Sequence, residues 1–204
     1  LNDPKDVRQL LGLGANVGAR DFQGNSVLHL ICQGHRAFSL DLLRLLVDAG
    51  ANLTWLNHEG NTILHEASKV TASTNHLLQV QFLSKLVQLR VPVNQKNYSG
   101  RTPLHIACSS WSGPGLVQSW KAVIDLILQP VLRIEIDEGD NNGIRAIHLA
   151  ATISEQLVFW LIDAGANPSV RTFEGQTPLQ VACRARQTNI VGMLLELYAK
   201  RGES

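Results

Sequence analysis

Short apolar segments with helical spacing recur along the chain, and the same polar and glycine residues bound each of them. In one segment, Thr102 predicts a helix N-cap, because its hydroxyl can accept a hydrogen bond from first-turn N–H groups. Pro103 suits the first helical position, and Leu104 is expected to point inward. Gly100 permits the positive φ of a tight turn. We therefore predict a turn and a short helix, whose His105 could link neighbouring loops.

This turn-and-helix signal occurs more than once. Further copies, some of them degenerate, lie at 24–30, 60–67, 143–150 and 175–183. A second motif, which predicts an apolar helix that ends at a glycine, lies at 10–16, 46–52 and 161–167. Between two such motifs, leucine and valine at helical spacing predict a second helix over 40–49. Two motifs that alternate with a period in the thirties indicate a repeat array.

The motifs resemble those of the ankyrin repeat family over nearly the whole chain. G-x-T-P-L-H is present at 100–105, and G-A-N is present at 50–52 and 165–167. The resemblance implies an all-α solenoid of stacked helix-turn-helix units with projecting β-turn tips beside a concave groove. We predict a single domain over 1–204, with a partial repeat followed by five full ones. The boundaries are 1–18, then about 19–54, 55–94, 95–137, 138–169 and 170–204.

The spacing of the turn glycines predicts insertions. Gly24, Gly60, Gly100, Gly143 and Gly175 are separated by 36, 40, 43 and 32 residues, whereas the family period is about 33. The excess is expected near 70–75, near 109–115 and within 129–138, where 133–137 alternates like a short strand. Insertions often lie on the binding face, but a longer loop costs little, so drift is the alternative. Because the first unit is only half a repeat, we expect the chain to be part of a longer protein.

Composition narrows the classes of function. The formal net charge of +1 argues against nucleic acid as the main partner. No run of 18 apolar residues is present, so we expect no membrane span. Cys32, Cys108 and Cys183 share one repeat position, which predicts buried reduced thiols and not a disulfide or zinc framework. The expected location is therefore the cytoplasm or nucleus.

No residues are predicted to carry catalysis, a metal or a cofactor. His29, His65, His105 and His148 share one repeat position, which is structural in the family that the chain resembles. No Ser/His/Asp order, paired carboxylates or H-E-x-x-H motif is present. The glycines of 12–18 resemble a dinucleotide-binding loop, but a helix C-cap explains Gly14.

The resemblance implies that variable residues at the turn tips and along the first helices contact a partner. The candidates are Arg20, Phe22, Gln23, Asn25, Leu56, His58, Glu59, Asn61, Lys69, Lys96, Tyr98, Ser99, Arg101, Ser110, Trp111, Asn141, Asn142, Ile144, Arg171, Phe173, Glu174 and Arg184. Phe22, Tyr98 and Phe173 share one turn position, where an aromatic ring is either a contact anchor or padding for the next turn. Trp111, beside glycine and proline in an insertion, is the expected exposed anchor.

The predicted function is a non-catalytic, monomeric module that binds another protein or peptide through the groove, tips and inserted loops, with no small-molecule substrate. One alternative is a reader of modified histone tails, which would need an aromatic cage. Trp55, Trp120 and Trp160 do not match cage positions, and the last two are predicted to pack inside. Another alternative is regulation in cis of an enzyme on the same chain. The resemblance also implies possible hydroxylation at Asn94, although Pro92 replaces the usual acidic residue.

Overall fold

The computed structural model describes residues 3–33, 38–69, 76–110, 117–129 and 132–202, which form eleven helices. These helices are α1 (Pro4–Gly12), α2 (Val27–Leu30), α3 (Leu40–Asp48), α4 (Ile63–Ala67), α5 (His76–Gln88), α6 (Pro103–Ser109), α7 (Val117–Ile127), α8 (Ala146–Ala150), α9 (Glu155–Asp163), α10 (Pro178–Arg184) and α11 (Thr188–Arg201). After α1, short and longer helices alternate. The predicted second helix at 40–49 is confirmed as α3.

The helices are arranged in two layers. The short helices α2, α4, α6, α8 and α10 contact one another in sequence order, and each of the last four also packs against the longer helix that follows it. In the outer layer, α1, α3, α5 and α7 contact in series, as do α9 and α11. Each helix pair therefore buries its apolar side against the next pair, and the predicted all-α solenoid is confirmed.

Local sequence sets where the inner helices begin. Ser26, Thr62, Thr102 and Thr177 are N-caps with extended φ and ψ, and each forms a capping box with the residue three positions later. Pro103 takes the first helical position, as predicted. Several outer helices end as the glycines indicate. For example, Gly50 has φ +89° where α3 ends.

The core lies between the two layers. Leu104 from an inner helix is 2% exposed, while Leu83 and Ile124 from outer helices are fully buried. Complete burial of one such side chain contributes about 1.5–3 kcal/mol. The inner helices α4, α6, α8 and α10 also carry a fully buried alanine, such as Ala107, whose small side chain allows the neighbouring inner helix to approach closely.

The short strand predicted at 133–137 was wrong. Within the described residues there is no strand, and this segment bonds instead to a side chain of the preceding repeat. Asn94 Nδ2 donates to the Arg133 carbonyl oxygen at 3.0 Å, and the Glu135 N–H donates to Asn94 Oδ1 at 3.1 Å. Ile134 and Ile136 pack against the core while Arg133 and Glu135 are exposed, so the alternation separates a core side from a solvent side without a paired strand.

The prediction of three buried thiols was wrong for one cysteine. Cys32 and Cys108 are buried between successive inner helices, and Cys32 Sγ lies 4.0 Å from the Ile63 carbonyl oxygen of α4. Cys183 is exposed, because no further helix pair of the described chain covers the outer side of α10. The insertions predicted at 70–75 and 111–115 lie outside the described residues. Ser109 ends α6 and Ser110 follows it.

Candidate functional site

Each projecting turn is held by the side chain of its first residue. Asp21, Asn57, Asn97 and Asp140 occupy this position, and Oδ1 accepts from the backbone N–H groups two and four residues later at 2.8–3.0 Å. In the last turn the Thr172 hydroxyl accepts from the Gln176 N–H at 3.2 Å. Local side-chain acceptors therefore fix the shape of each tip without any partner protein.

Backbone hydrogen bonds connect one tip to the next. The residue after the turn's first position donates its N–H to a carbonyl oxygen of the preceding tip, at 2.9–3.1 Å. These donor–acceptor pairs are His58 to Gln23, Tyr98 to Glu59, Asn141 to Ser99 and Phe173 to Asn142. The tips thus form one continuous ridge.

The four repeated histidines join the ridge to the inner helices. In each, Nδ1 accepts the N–H of the N-cap residue at 3.1–3.2 Å, so the proton lies on Nε2. Nε2 then donates to a carbonyl oxygen in the following tip at 2.9–3.1 Å. Burial lowers the pKa of all four rings, that of His65 to about 4. The predicted structural role of these histidines is confirmed.

The residue after the histidine position lines the groove on α4, α8 and α10. Leu30, Glu66, Ile106, Leu149 and Val181 occupy this position. Glu66 lines one depression in the groove, while Leu149 and Val181 line another. None of these five is among the contact residues predicted from the sequence, because that set follows mainly the turn tips. The shared repeat position was the available signal, since residues at one position of successive stacked repeats lie along one side of the array.

The groove beside the first two tips is polar. A depression of about 270 Å³ lies there, with Gln33, Glu59, Glu66 and Lys69 among its lining residues. The Glu66 carboxylate is buried and accepts from Lys69 Nζ at 2.8 Å and from Asn61 Nδ2 at 2.9 Å. Hydrogen bonds within the chain therefore already satisfy several of the polar side chains at this end of the groove.

The groove between α8 and α10 is larger and more apolar. Its volume is about 440 Å³, and Ile144, Leu149, Phe173 and Val181 supply its apolar lining. Glu174 supplies the only carboxylate among the residues that line it. The groove is therefore polar beside the first two tips and mainly apolar between α8 and α10.

The predicted contact residues separate into three groups by exposure. Fourteen are exposed, namely Arg20, Phe22, Gln23, His58, Glu59, Lys96, Tyr98, Ser99, Asn141, Asn142, Arg171, Phe173, Glu174 and Arg184. Five are half-buried, namely Leu56, Lys69, Arg101, Ser110 and Ile144, and two, Asn25 and Asn61, are buried. Trp111 lies outside the described residues. Most of the set thus follows the ridge and the adjoining groove.

Asn25 and Asn61 form part of the scaffold between tips. Asn25 Oδ1 accepts from Asn57 Nδ2 at 3.0 Å, and Asn61 Oδ1 accepts from Asn97 Nδ2 at 2.8 Å. In the next repeat, Arg101 Nε lies 3.4 Å from Asp140 Oδ2 and replaces this amide pair by an ion pair. These three side chains therefore hold adjacent turns together.

The three aromatic tip residues are highly exposed. Phe22 is 88% exposed, Phe173 78% and Tyr98 68%. Tyr98 and Phe173 lie against the glycine of the preceding tip, since a Cβ on Gly60 or Gly143 would be 2.7 Å from the ring. Tyr98 and Phe173 therefore cover a neighbouring turn and also present apolar surface to solvent, so their geometry suits both expected roles.

Two tryptophans have cations over their rings. The Arg20 guanidinium lies 4.5 Å from the ring centroid of Trp55, and Lys121 Nζ lies 5.8 Å from that of Trp160. Trp160 is half-buried and packs against the core, as predicted. The Trp120 side chain lies outside the described part of the chain. Arg20 therefore already occupies one face of the Trp55 ring.

Asn94 is half-buried at the site of the expected modification, and its amide makes the two hydrogen bonds to 133–135 given above. Across the described ranges, no group of three or more His, Cys, Asp or Glu side chains is placed to hold a metal ion. Among the same residues, no helix has both the length and the apolar character needed to cross a bilayer.

Comparison with known proteins gives the same family as the fold. The family model for ankyrin repeats in three copies matches residues 118–202, and the single ankyrin repeat model matches 23–58. Nuclear factor NF-kappa-B p105 subunit of Gallus gallus is 33% identical over 174 residues, which is 82% of this chain and 16% of that protein. Protein glp-1 of Caenorhabditis elegans is 29% identical over 184 residues, which is 85% of this chain and 13% of that protein.

NF-kappa-B inhibitor delta of Mus musculus is 28% identical over 202 residues, which is 88% of this chain and 59% of that protein. The chain thus spans between 13% and 59% of the length of these three relatives. Two layers of capped helix pairs, the histidine links between tips and the matches to both family models lead to one conclusion. The chain belongs to the ankyrin repeat family.

Proposed function

We propose that this chain is a non-catalytic module that binds a partner protein through its turn ridge, concave groove and inserted loops. Ankyrin repeats are protein–protein interaction modules. The observation that carries the proposal here is the continuous ridge of hydrogen-bonded tips with exposed aromatic rings at Phe22, Tyr98 and Phe173. A cytoplasmic or nuclear location and a monomeric state are parts of the same proposal.

The rigidity of the ridge favours such a role. Binding costs free energy when loops and side chains must be ordered at the interface. Here the side-chain acceptors at the first turn position and the bonds between tips already fix the backbone. A partner would therefore meet a preformed surface, and most of the contact free energy would appear as affinity.

Relatives indicate one class of partner to try first. The chain resembles the NF-kappa-B p105 subunit of Gallus gallus and the NF-kappa-B inhibitors delta of Mus musculus and zeta of Homo sapiens. We propose a protein of the NF-kappa-B type as the first candidate partner. Titration of the purified chain with a purified NF-kappa-B subunit tests this candidate, and absence of a complex would remove it.

The ridge assignment is tested with Tyr98→Ala. We expect the dissociation constant of a partner isolated with the intact chain to rise by more than about fivefold, equivalent to a loss of about 1 kcal/mol. The melting curve should not change, because the ring is largely exposed. Phe159→Ala is the matched control, since Phe159 is 58% exposed on the outer helix α9. Equal binding by both variants and the unchanged chain would contradict the ridge assignment.

The two alternatives make different predictions. A reader of histone tails would bind a methylated peptide more tightly than the unmodified peptide, which a fluorescence titration of both peptides measures. The Trp55 ring, which Arg20 covers, does not favour that alternative. Regulation in cis would require an enzyme domain on the same full-length chain, and assays of that chain with and without the repeats would test it.

A further inference from the structure

We propose that the depression between α8 and α10 is the main anchoring site of the partner, and that it binds one or two large apolar side chains beside a lysine or arginine. This inference rests on the proposed function and gives its partner a chemistry. The site is the 440 Å³ depression lined by Ile144, Leu149, Phe173 and Val181, with Glu174 at its edge.

Comparison between repeats shows that the site combines an apolar residue found at one tip alone with an apolar residue found on most inner helices. Ile144 follows its turn glycine as Asn25 and Asn61 follow theirs. The side-chain amides of Asn25 and Asn61 form hydrogen bonds with the next turn, whereas the side chain of Ile144 cannot form a hydrogen bond. In the same way, Val181 occupies the position that Glu66 occupies on α4. The position after the turn glycine is therefore apolar only at Ile144 among the five tips, whereas the position of Val181 is polar only at Glu66.

These apolar residues remain accessible to solvent. Ile144, Leu149 and Val181 are half-buried, and Phe173 is 78% exposed. Exposed apolar surface that is gathered in a concave site is typical of interaction sites, since its burial by a partner is favourable. The depression has room for more than one side chain of leucine size. An apolar anchor is therefore the ligand that releases the most water from this site.

Glu174 gives the site its charge preference. It is exposed at the tip of the last turn and makes no ion pair or side-chain hydrogen bond with another described residue. The lining histidine, His148, has both ring nitrogens occupied, and burial lowers its pKa, so it stays neutral near pH 7. The nearby Arg171 donates one Nη1–H to the Gly175 carbonyl oxygen. The carboxylate thus favours a cation beside the apolar anchor.

The test uses a phage-displayed library of random twelve-residue peptides and the whole chain as the target. We expect enriched peptides to share one or two large apolar residues with a lysine or arginine within a few positions. Synthetic copies should bind Val181→Glu at least tenfold more weakly, since an apolar side chain bound in the site would strip water from the new carboxylate. Phe159→Glu, with the same change in charge on the outer helix α9, should bind them like the unchanged chain.

A charge exchange tests the contact with Glu174, in case Val181→Glu does not fold. Glu174→Lys is at an exposed position, and we expect this variant to bind the basic peptides at least tenfold more weakly than the unchanged chain does. The Glu174→Lys variant should regain affinity for synthetic peptides in which glutamate replaces the basic residue.

The inference would be overturned by a library without enriched peptides, by binding that neither variant changes, or by enriched peptides without a basic residue. These failures are distinguishable from failure of the proposed function. Loss of partner binding in Tyr98→Ala with normal binding in Val181→Glu and Glu174→Lys would leave the module intact and refute this anchoring site. Normal partner binding in all three variants would refute both.

Discussion

At the scale of single residues, arginine occupies the position after an outer helix where the sequence elsewhere uses glycine. Arg90 has φ +58° and Arg133 has φ +47°, whereas Gly14, Gly50 and Gly165 take this position in other repeats. A residue with a Cβ loses about 1–2 kcal/mol in this left-handed region. The helix ends thus show where the fold imposes a conformation that the local sequence does not favour.

Arg90→Gly should therefore stabilise the chain by about 0.5–1 kcal/mol, because relief of the positive φ exceeds the added entropy of the unfolded chain. Chemical denaturation would show a higher midpoint with an unchanged slope. The reciprocal control is Gly50→Ala. Its Cβ would meet no atom within 4 Å, so only the strain of an alanine at positive φ should lower stability. A lower midpoint for Arg90→Gly would contradict this account.

Histidine burial predicts a loss of stability in acid. The pKa of His65 is about 4 in the folded chain, mainly because of burial, against about 6.5 when unfolded. Neutral His65 thus contributes stability above pH 6.5 that is lost as the pH falls toward 4, by about 2 kcal/mol at pH 5. The acidic Glu66 and the basic Lys69 act on this ring in opposite directions.

His65→Gln tests that contribution, because Gln180 shows that glutamine can take the histidine position and accept from an N-cap N–H at 2.9 Å. The variant should be less stable at pH 7, since it loses the bond to the Arg101 carbonyl oxygen. Between pH 7 and pH 5 it should lose about 2 kcal/mol less than the unchanged chain in urea unfolding. Equal losses in the two chains would show that His65 does not control the acid response.

At the scale of structural elements, the turn tips depend on glycine for two separate reasons. Gly100 and Gly175 have φ of +75° and +79°, so both avoid the strain that a Cβ brings. A Cβ on Gly100 would also lie 2.6 Å from the backbone nitrogen of Asn141, whereas one on Gly175 would meet no atom within 4 Å. Only the first glycine is therefore needed for contact between neighbouring tips.

We expect Gly175→Ala to lower stability by about 1 kcal/mol and Gly100→Ala to lower it by about 1–3 kcal/mol more. The difference arises because the added methyl group forces the tips apart and lengthens the bond from the Asn141 N–H to the Ser99 carbonyl oxygen. Thermal unfolding of the two variants provides the comparison. Similar melting temperatures for both would mean that the tips are not in tight contact.

At the scale of the whole molecule, each repeat is covered by the next. The burial or exposure of the three cysteine thiols reflects this stacking. Cys32 and Cys108 are buried, and burial raises the pKa of Cys108 to about 12, so thiolate is scarce there at neutral pH. Cys183 takes the same repeat position but is exposed on α10. Position in the stack therefore decides which thiol can react.

One thiol of three should react rapidly with a disulfide reagent in the folded chain, and all three should react in denaturant. Absorbance of the released thiolate measures this number. Cys183→Ser should abolish the rapid phase, while Cys108→Ser should preserve it. Rapid reaction of more than one thiol in the folded chain would contradict the stacked arrangement around Cys32 and Cys108.

The sequence alone determined the all-α repeat fold, because caps such as Thr102, turn glycines such as Gly100 and the helical spacing of leucines act within a few residues. It also indicated the tip residues, since their exposure follows from the turn itself. Tertiary structure decided the rest. The exposure of Cys183, the bonds from Asn94 to 133–135 and the apolar site at Ile144 and Val181 depend on which repeat lies opposite. Local sequence cannot specify these features, because they arise from contacts between residues about thirty or more positions apart.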